Sequence, residues 1–483
     1  MSLLRSPRKT DSLRLRMLSE FLLVWGRAGA ALAFPPVGRP ALRRLTSSFG
    51  AALLAASAAF GQIADSDPGE VAGIAVNYTE AKAGTYTLPD ALKLNDGKPV
   101  KDAKTWISKR RPEIKKMIEE YWFGRAPGRP KDMTFDVFDK GTPAFDGKAT
   151  RRQVTIYFTK DRSGPKMELL LYVPAKASGP VPVFLNMSFA ANNLAVRDPG
   201  IKVGQRWDRE TRTQVAAEPL PPGAGKAGNP VRAPRGLRVE QFIDAGIGIA
   251  TFSKDDLAPD FTGSEGMGVK ALYLKPGQSK PAPDEWGAIA SWAWGASRAL
   301  DYLETDRAVD AKRVAIHGVS RLGKTAMWTG AADERFAMVI ASCSGEGGAA
   351  IARRNYGETL AHMSAPTRYP YQFAGNYATY ATRVDEWPVE ANLLVAMIAP
   401  RPLLLQTGDT DKWSDPYGEF LAAVAAAPVY ELLGKKALGT TKFPAPGEPI
   451  LHDLGYVMHD GGHGTVPADF DVYIDFMKMH LMR

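Results

Sequence analysis

Short apolar segments that alternate with longer helical patterns are the feature that most limits the fold of this chain. The apolar segments are rich in Val, Ile, Leu and Phe, and each is short enough to be one strand. Continuous apolar strands separated by helices are typical of a mostly parallel sheet whose two faces are covered by helices. The pattern therefore predicts an α/β fold built as a three-layer sandwich. Its predicted strands are 167–175, 181–188, 247–253, 313–320, 336–345 and 401–409.

The loops that follow the strands are where such a fold carries its chemistry. Ligands and reacting groups bind at the carboxyl ends of parallel strands, because the loops of neighbouring strands meet there. We therefore expect Ser320, the segment after Gly345, the loop after Gly408 and the loop around His463 to lie near one another. The helices predicted between the strands are 285–304, 322–332 and 415–434.

The leader, residues 1–61, differs in composition from the rest of the 483-residue chain. It carries a formal charge of +7 out of the chain's +9, so the high pI gives no support to nucleic-acid binding by the folded part. A basic stretch precedes an apolar run at 49–60, which is too short to span a bilayer and is followed by small residues. These features predict a secretory signal peptide and an exported protein, periplasmic or extracellular. A disordered basic tail is the alternative.

Residues 62–483 are predicted to form a single catalytic domain. No Gly/Ser linker divides them, and no further stretch is long and apolar enough to span a membrane. We expect an N-terminal extension at 62–130 and a Pro/Gly-rich surface insertion at 203–236. The single cysteine, Cys343, excludes an internal disulfide, so the domain depends on its core. A monomer is expected.

The stretch RVAIHGVSRLGKTAMW (313–328) places a small hydroxyl residue at the junction of a predicted strand and helix. In serine hydrolases of the α/β-hydrolase fold, the nucleophile lies on such a sharp turn, and small neighbours make room for the strained backbone. Gly318 precedes Ser320 by two positions, but Gly323 follows it by three rather than two, which departs from G-x-S-x-G. Ser320 is therefore a candidate nucleophile, and the alternative is a serine that caps the following helix.

A serine nucleophile needs a base, and the base needs an acid to orient it. His463, in DGGHGTVPADF, has the best context, because flanking glycines let a loop hold the imidazole over the nucleophile. For the acid, TGDTDKWSDPYGEF offers Asp409, Asp411 and Asp415, of which Asp415 is predicted to cap the next helix. Asp409 and Asp411 both remain, and the order Ser–Asp–His matches the hydrolase pattern. The other histidines are predicted in a strand (His317), in helices (His362, His480) and in loops (His452, His459).

Four segments of the chain resemble one known family. They are VDAKRVAIHGVSRLGK, SGEGGAAIARRNYGETL, IAPRPLLLQTGDTDKWSDPYGEF and GGHG. Together they resemble the glucuronoyl esterases of carbohydrate esterase family 15, and the G-x-S-R-x-G-K string combined with RRN-[YF]-GE-[TS] is highly specific. The resemblance implies an α/β-hydrolase fold with surface insertions. It also implies a serine esterase that cleaves esters between 4-O-methyl-glucuronic acid on xylan and lignin alcohols.

The resemblance also implies roles for single residues. Ser320 would be the nucleophile and His463 the base, while Arg321 would stabilise the oxyanion with its backbone N–H and its guanidinium. An arginine suits that role, because the charge it stabilises appears only in the transition state. The residues implied for sugar binding are Lys324 and Glu358, which would hold hydroxyl groups, and Trp413, which would contact the glucuronoyl ring or its methoxy group.

The chain departs from the family's pattern at two positions. Many members have the triad glutamate where this chain has Cys343, and a thiol is mostly uncharged near neutral pH. Other bacterial members carry the acid on the loop after the later strand, where this chain has Asp411. Val319 stands where members often have the cysteine of a disulfide. Asp411 is therefore the predicted acid, with Asp409 as the fallback.

Two other functions stay open at this point. An acetyl-xylan esterase or a broad-specificity carboxylesterase would use the same triad but would not need the sugar-binding residues. A non-catalytic carbohydrate-binding protein on the same fold would not need the triad. No metal-binding motif such as H-E-x-x-H is present, and no cofactor is expected. The expected partners are glucuronoxylan and lignin–carbohydrate esters.

Overall fold

The computed structural model describes residues 63–219 and 236–482. The described residues belong to one compact unit. The predicted signal peptide, with its apolar run at 49–60, lies outside the described residues, as does the segment 220–235 of the predicted Pro/Gly-rich insertion. Among the helices in the described part of the chain, none has the length and apolar character needed to cross a membrane.

Thirteen strands form within the described residues. They are β1 (Gly69–Val71), β2 (Ile74–Val76), β3 (Thr134–Ala144), β4 (Ala149–Tyr157), β5 (Lys166–Pro174), β6 (Val181–Ser188), β7 (Gln205–Trp207), β8 (Gln214–Ala216), β9 (Gly248–Ser253), β10 (Val309–Val319), β11 (Met338–Ser342), β12 (Leu403–Gly408) and β13 (Leu454–His459). Nine of them form one central sheet in the order β13-β12-β11-β10-β6-β9-β5-β4-β3. The pairs β1–β2 and β7–β8 form separate antiparallel hairpins, and β7–β8 lies within the predicted insertion.

The central sheet has a parallel half and an antiparallel half. The strands from β13 to β9 pair in parallel, whereas β9, β5, β4 and β3 pair antiparallel. Each of the six predicted strands corresponds to a strand of this sheet, but β3, β4 and β13 were not predicted. The predicted strand 336–345 ends early, at Ser342, because Cys343 turns the backbone with a φ of 45°.

Helices cover both faces of the sheet, which confirms the predicted three-layer sandwich. The α-helices are α1 (Ala103–Thr105), α2 (Arg111–Tyr121), α3 (Asn192–Ala195), α4 (Val239–Asp244), α5 (Ala288–Leu303), α6 (Arg321–Ala332), α7 (Leu360–Ser364), α8 (Ala391–Ala396), α9 (Pro416–Leu432) and α10 (Pro467–Leu481). One apolar core contains side chains of α5, α6, α8 and α9, and a second contains side chains of α4 and α10. Alternate residues of a strand lie in different cores, because successive side chains point to opposite faces of the sheet. Val183 and Leu185 of β6 lie in the first core, and Phe184 lies in the second.

The carboxyl ends of four parallel strands meet at one edge of the sheet. The register pairs Val319 with Ser342, and Gly408 with His459. The residues that follow these strand ends are therefore neighbours, as the strand pattern predicted. His459 was predicted in a loop, and this prediction is wrong, because it is the last residue of β13. Its backbone pairs with β12, and its side chain is buried.

Candidate active site

Ser320 lies on a strained turn between β10 and α6. Its backbone has a φ of 60° and a ψ of −127°, a conformation that residues with a Cβ rarely adopt. The turn is tight, because a Cβ at Gly318 would overlap the carbonyl oxygen of Leu322. A Cβ at Gly323 would lie 2.6 Å from the carbonyl oxygen of Ser342 on the neighbouring strand. Both glycines of the motif are therefore required, because the neighbouring backbone leaves no room for a Cβ. This includes Gly323, which departs from the usual spacing.

The side chain of Ser320 does not cap the following helix, which was the alternative prediction. Ser320 occupies the N-cap position of α6, but its side chain makes no capping hydrogen bond. Its backbone N–H donates to the carbonyl of Ser342 at 2.8 Å, and its carbonyl accepts from Lys324 at 3.0 Å. The backbone of Ser320 is therefore fixed on both sides, and the residue lines a pocket.

A histidine–aspartate pair lies at the same pocket. His463 Nδ1 is 2.7 Å from Asp411 Oδ2, and the Asp411 side chain is 4% exposed while that of His463 is 44% exposed. The Ser414 hydroxyl also lies 3.2 Å from His463 Nδ1. A buried carboxylate that accepts the Nδ1 proton leaves Nε2 of an accessible imidazole as the nitrogen that can accept a proton.

The three candidate aspartates have different positions. Among the described residues, no hydrogen bond or ion pair joins Asp409 to His463; Asp409 Oδ1 accepts the backbone N–H of Gly461 at 2.8 Å and so fixes the loop that carries the histidine. Asp415 accepts from the backbone N–H of Gly418 at 3.0 Å and caps α9, as its place before a proline predicted. Among the three, the structure places Asp411 against the imidazole.

One pocket of about 250 Å³ brings together the residues predicted to carry the triad, the oxyanion and the sugar. Because each of these residues follows a strand or lies in a loop beside one, the pocket occupies the carboxyl edge of the sheet. Its lining includes all seven predicted site residues, namely Ser320, Arg321, Lys324, Glu358, Asp411, Trp413 and His463. Residues that the sequence did not indicate also line it, namely Met363, Arg368, Tyr369, Gln372 and Ser414.

Arg321 is held by a carboxylate. Its Nη1 lies 3.0 and 2.8 Å from the two oxygens of Asp260, and its guanidinium lies 4.6 Å from the centre of the Tyr369 ring. Asp260 is buried and also accepts from the Tyr371 hydroxyl at 2.7 Å. Burial alone would raise the pKa of Asp260, but Lys254 and Arg321 outweigh it, so the pKa is lowered and the carboxylate stays ionised. The ion pair fixes the guanidinium at the pocket wall.

Lys324 and Glu358 form a buried charged pair in the wall of the pocket. Lys324 Nζ donates to the carbonyl of Ser344 at 2.7 Å and lies 4.0 Å from Glu358. Glu358 accepts from Arg368 at 2.8 Å, and the Arg368 guanidinium lies 5.2 Å from the centre of the Trp413 ring. Burial lowers the pKa of Lys324, and Glu358 opposes this shift. The wall therefore offers fixed donors and acceptors beside a flat aromatic face.

Cys343 lies beside the acid–base pair as a neutral thiol. Its Sγ is 3.4 Å from both the backbone N–H and the carbonyl of Gly464, one residue after His463. Burial raises the pKa of the thiol, and the charge of Asp411 raises it further. One ligand atom of Cys343, one of Asp411 and one of His463 lie within 4.8 Å of one another. A metal ion would need Cys343 as a thiolate, and burial and the charge of Asp411 both disfavour that form. We therefore interpret the cluster as an acid–base pair with a packed thiol.

Two residues that hold the site were missed in the sequence. Asp260 follows β9, so the rule on carboxyl ends of strands could have indicated it, but the six residues that separate it from the strand weakened that signal. Arg368 gave no signal, because its loop has neither a strand nor a motif beside it. The buried histidines are structural: His317 lies 2.7 Å from Asn186 Oδ1, and burial lowers its pKa to about 3.

The chain is similar to several known proteins. A family model described as glucuronyl esterase of fungi matches residues 211–434. A solved glucuronoyl esterase from Solibacter usitatus is 43% identical with a TM-score of 0.77, and the match covers 83% of this chain and 100% of that one. A promiscuous esterase of family 15 from a marine bacterial metagenome is 40% identical with a TM-score of 0.75, over 84% of this chain and 100% of that one. A 4-O-methyl-glucuronoyl methylesterase from Schizophyllum commune is 25% identical over 79% of this chain and 81% of its own length.

The chain belongs to carbohydrate esterase family 15.

Membership of family 15 confirms the predicted α/β-hydrolase fold and the predicted enzyme class, a carboxylic ester hydrolase. Because the relatives include glucuronoyl esterases, neither alternative function is favoured, that is, a non-catalytic binding protein or an acetyl-xylan esterase. The family motif G-x-S-R-x-G-K runs from Gly318 to Lys324, through the strained turn and the first turn of α6. In this family-15 esterase the motif therefore specifies both the turn and two side chains of the pocket.

Proposed function

We propose that this esterase hydrolyses the ester that joins 4-O-methyl-glucuronic acid of glucuronoxylan to the alcohols of lignin. One observation carries the proposal. A single pocket contains a serine on a strained turn, a His–Asp pair, and a buried Lys–Glu pair beside a half-buried tryptophan. The first two features suit acyl transfer, and the third suits a sugar acid. Family membership and the names of the relatives support the same substrate class.

In the proposed mechanism Ser320 forms a covalent intermediate. His463 Nε2 takes the Oγ proton as Oγ attacks the ester carbonyl carbon, and Asp411 stabilises the imidazolium through the 2.7 Å contact with Nδ1. The bond between the carbonyl carbon and the alkoxy oxygen then breaks, and the alcohol leaves with the proton from His463. A water molecule, deprotonated by His463, then attacks the carbonyl carbon of the acyl-enzyme. The bond from this carbon to Ser320 Oγ breaks, His463 returns the proton to Oγ, and the uronic acid is released.

Arg321 is proposed to stabilise the oxyanion of both tetrahedral intermediates. Its backbone N–H belongs to the first turn of α6, where no preceding turn supplies a carbonyl acceptor. Its guanidinium is held at the pocket wall by Asp260, so little reorganisation is needed when the charge develops. One preorganised donor of this kind contributes about 3–4 kcal/mol to transition-state stabilisation.

Lys324, Glu358 and Trp413 are proposed to bind the glucuronoyl group. The ammonium donates and the carboxylate accepts, which matches the hydroxyl groups of a sugar. The indole presents a flat apolar face, which suits the C–H face of a sugar ring or a methoxy group. Because the Lys–Glu pair is buried, a substrate that lacks the sugar hydroxyls gains nothing from it.

A side-by-side assay tests the substrate class. We expect kcat/KM for benzyl glucuronate and methyl glucuronate to exceed that for p-nitrophenyl acetate by at least about tenfold, since only the uronates engage the buried pair. Because one relative is described as promiscuous, measurable acetate hydrolysis is compatible with the proposal. A kcat/KM for the acetate that equals or exceeds that for benzyl glucuronate would establish a broad-specificity carboxylesterase instead.

We also propose that the enzyme is exported and acts as a monomer. The basic leader and the apolar run at 49–60 support export. We expect the mature protein to begin between Ala58 and Gln62 when it is sequenced from the periplasm or the medium, and light scattering to give the mass of one chain. An uncleaved protein confined to the cytoplasm, or a dimer at assay concentration, would contradict this.

A further inference from the structure

We propose that residues 74–83, here called the N-terminal brace, position the wall of the pocket that carries Glu358 and Trp413. The brace begins in β2 and includes a 3₁₀ turn at Glu80–Lys82. It is about 280 residues away in sequence from the loop that it contacts, 354–362. The inference rests on the proposed function, because it assigns the brace an effect on binding of the glucuronoyl group.

The first contacts of the brace are with the backbone immediately before Glu358. The carbonyl of Asn77 accepts the N–H of Gly357 at 2.9 Å, and the Asn77 side-chain amide donates to the carbonyl of Asn355 at 2.6 Å. The N–H of Asn355 donates in turn to the carbonyl of Ala83 at 3.0 Å. Three hydrogen bonds therefore fix this backbone to the brace rather than to the central sheet.

The second contact is an ion-pair network. Both oxygens of Glu80 accept from the Arg354 guanidinium, at 2.7 and 2.6 Å, and the same guanidinium donates to Asp415 at 2.8 Å. Arg354 is 3% exposed, and Asp415 directly follows the 3₁₀ turn Lys412–Ser414, which contains Trp413. Glu80 thus helps to hold a buried cation that connects the two loops of the sugar-binding wall.

The third contact reaches the tryptophan through a histidine. His362 Nδ1 accepts from the hydroxyl of Thr359 at 2.8 Å, so its proton is assigned to Nε2, which lies 3.3 Å from the carbonyl of Ile74. Burial lowers the pKa of His362, which favours this neutral form. The His362 ring meets the Trp413 ring at 5.3 Å in an edge-to-face arrangement. The orientation of the indole is therefore linked to β2.

The two loops of the wall also contact each other, so the brace acts on both. The N–H of Glu358 donates to the carbonyl of Trp413 at 2.8 Å, and a Cβ at Gly357 would lie 2.6 Å from that same carbonyl oxygen. Among the described residues, no hydrogen bond or ion pair joins the brace to Ser320, Asp411 or His463. Tyr78 of the brace lies close enough to Asp411 that burial, and then the charges of Asp411 and Glu358, raise the pKa of its hydroxyl, so the tested substitutions leave Tyr78 in place. A loosened brace should therefore weaken binding of the sugar acid and leave the chemistry of the serine and histidine intact.

The test compares two brace variants, Glu80→Gln and Asn77→Ala, with a matched control in the same N-terminal segment, Glu70→Gln. Glu70 lies in β1 with an exposed side chain, so its substitution makes the same chemical change as Glu80→Gln without touching the wall. We expect each brace variant to raise KM for benzyl glucuronate by about five- to twentyfold, because small displacements of binding groups cost affinity steeply. We expect kcat for benzyl glucuronate, and kcat/KM for p-nitrophenyl acetate, to stay within about twofold of wild type.

The outcomes separate this inference from the proposed function. If wild type shows no preference for benzyl glucuronate, the proposed function fails and the inference fails with it. If wild type shows the preference and both folded brace variants keep it, the inference alone is wrong. Equal proportional losses on the uronate and the acetate would also overturn it, because they indicate general destabilisation. Thermal unfolding of all four proteins establishes that each is folded at the assay temperature.

Discussion

The two sides of the pocket are built in different ways. Ser320 is placed by backbone geometry: a strand ends, a helix begins, and two glycines allow close approach. Glu358 and Trp413 are placed by hydrogen bonds and ion pairs among loops, some of which reach the N-terminal brace. Steric placement follows from a short local motif, whereas placement by polar contacts depends on residues far away in sequence. We infer that the first side sets the chemistry and the second sets the substrate.

The largest expected effect is on the steric side. Ser320→Ala should keep the fold, because the N–H and carbonyl of residue 320 make the contacts that fix the turn. Turnover of benzyl glucuronate should fall by roughly 10⁴- to 10⁶-fold, since the nucleophile is lost. Circular dichroism establishes folding, and near-normal turnover in the folded variant would exclude the serine mechanism.

Loss of the oxyanion side chain should have the next largest effect. We expect Arg321→Ala to lower kcat by about 10²- to 10³-fold on uronate and acetate alike, because the oxyanion is common to both esters. Asp260→Asn should lower kcat on both esters by a smaller factor, because the guanidinium remains but loses its bidentate partner. The matched control is Asp255→Asn, which removes a carboxylate bonded to Lys254 but not to Arg321. Equal kcat in both Asp→Asn variants would contradict a role for the ion pair.

Substitutions in the Lys–Glu pair should affect the hydrolysis of benzyl glucuronate and of p-nitrophenyl acetate differently. Lys324→Met and Glu358→Gln keep the approximate volume of each side chain, and each should lower kcat/KM for benzyl glucuronate by about ten- to hundredfold. The value for p-nitrophenyl acetate should change far less, because this ester has no sugar hydroxyl groups for the pair to bind. The ratio of the two kcat/KM values is the measurement. An unchanged ratio would mean that these residues do not recognise the sugar.

The smallest expected effect concerns stability and pH. His459 Nδ1 lies 2.9 Å from Asp469, and its Nε2 lies 2.9 Å from the carbonyl of Gly462, in the loop that carries His463. Burial alone would lower the pKa of His459, but the contact with Asp469 outweighs it, so the pKa is raised. Protonated His459 therefore stabilises the folded state fully below the unfolded pKa of about 6.5, and this contribution is lost as pH rises through the higher folded value.

His459→Gln should accordingly lower Tm more at about pH 5.5, where the imidazolium contributes fully, than at about pH 8.5, where less of the imidazolium remains. Asp469→Asn should reduce the same pH dependence, because it removes the partner of the imidazolium. Thermal unfolding of wild type and both variants across this pH range is the measurement. A Tm difference between wild type and His459→Gln that grows with pH would show that the imidazole is bound in its neutral form.

Five strands of the parallel half of the sheet were predictable, together with β5, whereas β3, β4 and β13 were not. The predicted strands read as apolar runs because most of their residues are buried and apolar, whereas β4 buries Arg151 and Gln153 among its residues. Arg151 is neutralised by Asp139 at 2.7 Å and Asp198 at 2.8 Å. Hydropathy cannot reveal such burial, because the partners come from other segments of the chain.

The same distinction applies to the site. Ser320 and His463 follow from motifs that are local in sequence, and all seven predicted residues line one pocket. The choice between Asp409 and Asp411 depends on the turn after β12, in which the Asp411 N–H donates to the carbonyl of Gly408 at 3.2 Å. Asp260 and the brace depend on contacts between distant segments, and no spacing rule describes these.

The most direct test of the central claim, that Asp411 orients His463, is kcat for benzyl glucuronate in Asp411→Asn beside Asp409→Asn and Cys343→Ser. The equivalent change in a serine protease lowers kcat by about 10⁴, and we expect a loss of that order in Asp411→Asn. Asp409→Asn should lose less, because Asp409 contacts only the backbone of the loop, and Cys343→Ser should stay near wild type. A large loss confined to Asp409→Asn or to Cys343→Ser, with all three proteins folded, would contradict the assignment.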